Sequence, residues 1–214
     1  MKIKKMSDIG KRRLKLIHTS RDIIISNGCN KNLFEKISNE KNIHLSELYV
    51  LFPNGYKDML ILSLHNLNSE FEQKFNRSKI RKFPLHKRIK IIVMAKIALI
   101  GLEKKFYKKI FYYLLLPGNY GLLSSQIYKS VDSIWYIAMD ESTDFNYYTK
   151  RIILSGIYSS TIFHFFNNKK INETEKKLDE LLDKVSKIPK IKKNINLLGS
   201  NLTSFYKLFS KYTF

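Results

Sequence analysis

Only four prolines and eight glycines punctuate this chain of 214 residues. Pro53, Pro84, Pro117 and Pro189 are its breakpoints, because proline lacks an N–H and its ring clashes with the preceding helical turn. The long stretches between them carry few breakers, which suits helices better than a loop-rich β protein. The reading is therefore helical throughout. It predicts helices over 10–26, over 30–41 with Asn30 as N-cap, and over 44–52. A turn and a long helix follow within 54–75. Pro84 opens the next helix, a further one runs up to Pro117, and two more cover 122–139 and 146–166. ETEKKLDELLDKVSKI is a polar helix, and Pro189 begins the last segment. No internal repeat or second core is visible. With 44% hydrophobic residues the chain can bury one good core.

The formal charge is +21. That balance calls for an anionic partner: nucleic acid, anionic lipid or an acidic protein face. Cys29 is the single cysteine, so an internal disulfide and a multi-cysteine metal site are excluded. No apolar run reaches the roughly 18 residues that a membrane span needs. The best stretch, residues 89–102, is interrupted by Lys90 and Lys96. Residues 1–21 hold eight bases and one acid. A mitochondrial targeting segment and a plain basic first helix both fit that composition. Residues 1–13 are read as this basic segment, and 14–186 as one helical domain: a head over 14–60 and a body over 61–186.

Three short helices at the N-terminus, with a tight turn between the second and third, make a helix-turn-helix pattern. The order of elements resembles that of TetR regulators. A ligand-responsive DNA-binding regulator is accordingly one reading of the function. The charge map speaks against it, since Asp22 to Leu60 carries a net charge of −1 and phosphate binding requires Lys and Arg. The recognition position, HLSELYVLF, offers Glu47 and the apolar Leu45, Leu48, Val50 and Leu51, a set suited to packing rather than base readout. Positive charge collects instead over residues 77–109, with twelve bases and only Glu103 as an acid. Such a one-signed run suits an anionic surface.

In the C-terminal segment 187–214, apolar Ile191, Ile195, Leu198, Leu202, Phe205, Phe209 and Tyr212 recur at steps of four and three, which places them on one helix face. Lys192, Lys193 and Lys207 lie on the other. Six lysines and no acid from Lys187 to Phe214 make this an amphipathic helix for an anionic membrane surface rather than a coiled coil.

Residues 140–151, DESTDFNYYTKR, combine acids, aromatics and bases. No Glu-x-x-His partner accompanies Asp140, Glu141 and Asp144, and the five histidines lack ligand spacing. No activated nucleophile is evident, so catalysis and a resident cofactor are not expected. Ser142, Thr143 or Asp144 can cap the helix that follows. Tyr147 and Tyr148 beside Lys150 and Arg151 suit a docking surface. The run S-T-D-F-N-Y-Y-T-K-R (142–151) resembles the S-T-D-F-N-W-Y-T-R/K-R signature of the COQ nine family, accessory proteins of ubiquinone (coenzyme Q) biosynthesis. L-F-P-N-G (51–55), L-L-L-P-G-N (114–119), I-W (134–135) and S-G-I-Y-S-S-T (155–161) stand where that family has similar segments. Tyr147 replaces the usual Trp, and Met139 stands where many members have Gly.

The resemblance implies an all-α, TetR-like bundle without DNA binding, forming a homodimer. It implies an apolar pocket for lipid or an isoprenoid quinone, with Ile92, Ala95, Leu99, Leu115, Ile134, Tyr158 and Ile162 as candidates. It further implies a surface of Asp144, Tyr147, Tyr148, Lys150, Arg151 and Ile134 that docks demethoxyubiquinone hydroxylase (COQ seven) within the coenzyme Q synthesis complex. The compartment implied is the matrix side of the mitochondrial inner membrane, peripherally bound, or the cytoplasmic face of a bacterial inner membrane.

Overall fold

The computed structural model describes residues 8–140, 145–168 and 170–187, and among these there is no strand. Among the described residues ten α-helices follow one another: α1 (Asp8–Thr19), α2 (Arg21–Asn27), α3 (Leu33–Lys41), α4 (Leu45–Leu51), α5 (Tyr56–Lys74), α6 (Leu85–Gly101), α7 (Lys104–Leu114), α8 (Tyr120–Ala138), α9 (Phe145–Asn167) and α10 (Ile171–Lys187). The amphipathic segment with Ile191, Lys192, Lys193, Ile195, Leu198, Leu202, Phe205, Lys207, Phe209 and Tyr212 lies outside the described residues, as does Asp144. Among the described residues no helix is long and apolar enough to cross a membrane.

The helix expected over 10–26 is two. The chain bends at Ser20, so that α1 packs on α5 while α2 packs on α7. Arg21 holds that bend by pairing with Glu103 and lying 5.5 Å over the Phe106 ring. Asn30 is not a helix cap. Its carboxamide oxygen accepts from the Asn32 N–H in a turn before α3, whose N-cap is Asn32. At the turn between α3 and α4, Asn42 takes left-handed geometry (φ 51°), which a short polar side chain tolerates. The ring of His44 caps α4 by accepting from the Ser46 N–H.

One hydrophobic core runs without a break from Leu16 in α1 to Leu178 in α10. It covers the head and the body together. Its centre is α6, whose Ile92, Val93 and Ile97 are fully buried between neighbouring helices.

Candidate functional site

The basic run 77–109 does not face one surface. Lys96 is fully buried. Lys104 and Lys108 donate to the Asn168 and Phe166 carbonyls at the end of α9 (2.6 and 2.8 Å), where positive charge meets the negative end of the helix dipole. Arg88 does the same for α8 by donating to the Ala138 carbonyl (2.7 Å). Lys90 pairs with Glu175 and Asp179 of α10. What remains on the exterior near the start of α6 is Lys79, Arg81, Lys82 and Lys87. The spacing of charges in the sequence could not separate these roles, because lysine stems reach across an interhelical gap to a carbonyl that no local pattern marks.

The corner between α8 and α9 is built by two cross-helix ion pairs. Lys150 meets Asp140 at 2.9 Å, and Arg151 meets Asp132 at 2.8 Å. Arg151 also lies 3.3 Å over the Tyr147 ring. The Arg151 side chain is only 9% exposed. The bases expected on the docking surface are thus clamps between the two helices. Ile134 is completely buried and belongs to the core rather than to any outer face. Tyr147 packs edge-on against Tyr148, with ring centroids 5.1 Å apart. Its phenol is held above the ordinary value by hydrogen bonding with Tyr128 and by burial. The exterior consists of Tyr148 (65% exposed), Ile152 (62%), Tyr128 and Tyr136, with Arg77 stacked 3.8 Å over the last. Ile152 and Tyr136 were not among the residues singled out from sequence; the four-residue steps Tyr148–Ile152 and Tyr128–Asp132–Tyr136 were the available signal. Met139 ends α8 in left-handed geometry (φ 57°), a conformation glycine adopts at no steric cost.

Behind this corner lies a cavity of about 60 Å³ among α5, α6, α7, α8 and α9. Its wall is mostly apolar, with Leu64, Leu67, Ile100, Phe111, Leu114 and Phe166 among the lining. Of the expected pocket residues, Tyr158 and Ile162 line it. Ile92 and Ile134 are buried in the core elsewhere, and Ala95 and Leu99 pack against that core. Leu115 is half-buried beside the lining Leu114. A one-residue step turns a helix by about 100°, so Leu114 and Leu115 cannot share a face. Four lining positions went unread in the sequence although they are polar or phenolic: Tyr107, Gln126, Ser130 and Ser159.

Lys96 abuts one end of this cavity. Its ammonium donates to the Ser130 carbonyl (3.2 Å) and sits 5.6 Å from both the Phe71 and Tyr158 rings. Burial pushes its pKa down to about 7, opposed by Glu72. A second cavity, of about 340 Å³, lies beneath α1 and is polar, with His18, Arg21, Glu70 and Glu103 in its wall. Among the described residues no cluster of His, Cys, Asp or Glu is arranged to hold a metal ion.

Comparison with known proteins picks out the same helices. The model of the COQ9 family matches residues 121–189, from α8 through α10. The mitochondrial ubiquinone biosynthesis protein COQ9 of Rattus norvegicus is 50% identical over 48 residues, 22% of this chain and 15% of that protein. The Homo sapiens counterpart is 46% identical over 48 residues, 22% of this chain and 15% of that protein. The probable ubiquinone biosynthesis protein coq9, mitochondrial, of Dictyostelium discoideum is 30% identical over 98 residues, 44% of this chain and 32% of that protein. The matches thus span a third or less of these relatives' length. A TetR transcriptional regulator from Nitrosomonas europaea superposes with a TM-score of 0.63 at 12% identity, covering 82% of this chain and 98% of its own. That likeness establishes the all-α, TetR-like fold. The fold is thus TetR-like, and residues 121–189, from α8 through α10, are similar to the COQ9 family.

Proposed function

We propose that this chain is a lipid-binding accessory protein of ubiquinone biosynthesis. In this reading it takes isoprenoid quinone intermediates from a membrane and presents them to demethoxyubiquinone hydroxylase. It is not itself an enzyme. The observation that carries the reading is that α8 and α9 serve two surfaces at once: inward they wall the apolar cavity, and outward they carry Tyr148, Ile152, Tyr128 and Tyr136. Aromatic and aliphatic side chains of this kind form the core of protein interfaces, whereas exposed charges contribute little. A quinone held inside would thus lie next to the surface that meets the hydroxylase. The names of the relatives, mitochondrial ubiquinone biosynthesis proteins, support the pathway and the compartment. The membrane is then the mitochondrial inner membrane, met peripherally from the matrix side. The lysine-bearing segment 187–214 docks on anionic lipid, and the protein works as a homodimer.

Ligand pockets usually enclose roughly 300–1,000 Å³, and this cavity is well below that range. Uptake of a polyprenyl chain therefore requires the helices around it to part. Native mass spectrometry of the intact chain, beside a version ending at Lys187, tests the reading. Co-purified quinone or phospholipid, with liposome binding lost on truncation, is expected. A chain free of lipid and indifferent to liposomes in both forms sinks the proposal.

The TetR likeness keeps a DNA-binding regulator as the second reading. Its recognition helix would be α4, yet α4 exposes Tyr49 and Val50, and its Glu47 is engaged by Arg12. Val50 is 78% exposed, so it does not join Leu48 and Leu51 in packing. A specific duplex bound with a steep salt dependence is the result that would favour this alternative.

A further inference from the structure

Tyr107 lines both cavities of the molecule. On one side of it is the apolar cavity of about 60 Å³. On the other is the polar cleft of about 340 Å³ beneath α1. The first is smaller than ordinary ligand pockets, and the second lies within their range. The wall of the cleft is assembled at helical spacing: Arg21 at the start of α2, Ser63, Asn66 and Glu70 on one face of α5, and Glu103 and Tyr107 at the start of α7. The ion pair between Arg21 and Glu103 uses one nitrogen and one oxygen. It leaves Arg21 Nε and Glu103 Oε2 buried without a hydrogen-bond partner. Buried polar atoms are nearly always partnered, so two orphans in one pair call for a cause. One is a donor and the other an acceptor. A ligand hydroxyl satisfies both kinds, donating to the carboxylate and accepting from the guanidinium. Burial holds the Tyr107 phenol above its ordinary value, and the charges that act on it, Glu103, Arg21 and Glu70, all belong to the cleft. Its polar end thus answers to the cleft, while the residue also walls the apolar cavity.

We propose that the cleft and the apolar cavity are two ends of one binding site divided by Tyr107, and that this site takes an amphipathic ligand. A hydroxylated ring lies beneath α1, and its hydrocarbon tail runs past Tyr107 toward α8 and α9. This inference rests on the lipid-carrier reading and adds the place and the chemistry of the polar end. The ring hydroxyl donates to Glu103 and accepts from Arg21. Movement of the Tyr107 ring joins the two spaces, so the tail enters a cavity that is too small for it alone.

The test uses the full chain and two probes, 4-octylphenol and octylbenzene, titrated calorimetrically into the wild type, Glu103→Gln and Asn66→Phe. The wild type is expected to prefer the phenol by about tenfold, the scale of one buried hydrogen bond. Glu103→Gln removes the charge that receives the hydroxyl, and Asn66→Phe fills the cleft from α5. Each should lose the preference while still binding octylbenzene. If one variant fails to fold, the other decides. In the wild type, a 4-octylphenol with a diazirine at the tip of its tail should label Ile100, Leu114 or Phe166 on irradiation. A wild type without preference, a folded variant that keeps it in full, or labelling confined to exposed residues overturns the single site and leaves the carrier reading standing. A wild type that binds neither probe overturns both.

Discussion

At the scale of single residues, Lys96 is the most consequential position. Its ordinary pKa would be 10.5, and burial brings it to about 7. The groups facing it are Glu72 from α5, the Ser130 carbonyl from α8 and Tyr158 from α9. Above about pH 7 the folded state has released this proton while the unfolded chain holds it up to about 10.5. The unfolded state therefore binds more protons in that window, and stability gains with pH through it. Below pH 7 the cost of burying the charge is fully present. Its upper bound is roughly 4–5 kcal/mol from the distance between the two values. Lys96→Met should thus raise stability at pH 7 by about 2–4 kcal/mol. The difference from wild type should shrink as pH rises toward 10. Urea unfolding of both proteins across that range checks it; a difference that does not change with pH contradicts the assignment. Cys29 is the contrasting case. Burial pushes its thiol up to about 12 against the pull of Lys109, so little thiolate is present at neutral pH.

At the scale of elements, the α8–α9 corner explains why a run of acids, aromatics and bases stands where it does. The bases of Y-Y-T-K-R reach back ten and nineteen residues to Asp140 and Asp132, fixing the angle of α9 against α8. The aromatics are left to face outward. Asp132 is about half exposed, so the pair is partly screened by water and its coupling is modest. A double-mutant cycle of Asp132→Ala and Arg151→Ala should give about 1 kcal/mol. Arg151→Ala alone should cost more, about 2 kcal/mol, because it also removes the stacking on Tyr147. Chemical denaturation of the four proteins measures both, and a coupling near zero would remove the clamp from the account. Asp140 and Asp132 were recognisable in sequence only as charges. Which base each would meet depended on how α9 packs against α8.

At the scale of the whole molecule, the two roles proposed for α8 and α9 can be separated by mutation. Tyr148→Ala and Ile152→Ala remove exposed atoms and should change stability by less than about 0.5 kcal/mol. The double variant should nevertheless bind the hydroxylase at least tenfold more weakly, since exposed aromatic and aliphatic anchors at the centre of a patch carry much of an interface's energy. Its affinity for a benzoquinone carrying a decyl tail should stay as in wild type. Surface plasmon resonance against the hydroxylase measures the first effect and calorimetry the second. Unchanged hydroxylase binding would place the docking surface elsewhere.

The class of fold was legible in the chain itself. Few breakers and helical periodicity leave one economical solution, and the tight turn at Asn42 with F-P-N-G after α4 locates a helix-turn-helix pattern, because these are local constraints on φ and ψ. The helix boundaries mostly followed for the same reason. The break at Ser20 did not, because it comes from α1 and α2 packing on different partners. The candidate site was legible only in outline. The sequence marked Tyr147 and Tyr148 as outward-facing aromatics and Tyr158 and Ile162 as apolar positions of the body. Only the tertiary structure decided that Lys150 and Arg151 are clamps, that Ile134 is core, and that Lys96 is buried beside a cavity which Gln126 lines. Backbone preference is set within a few residues. The partner of a charge and the occupant of a cavity are set by side chains that meet across helices, often from far apart in the chain.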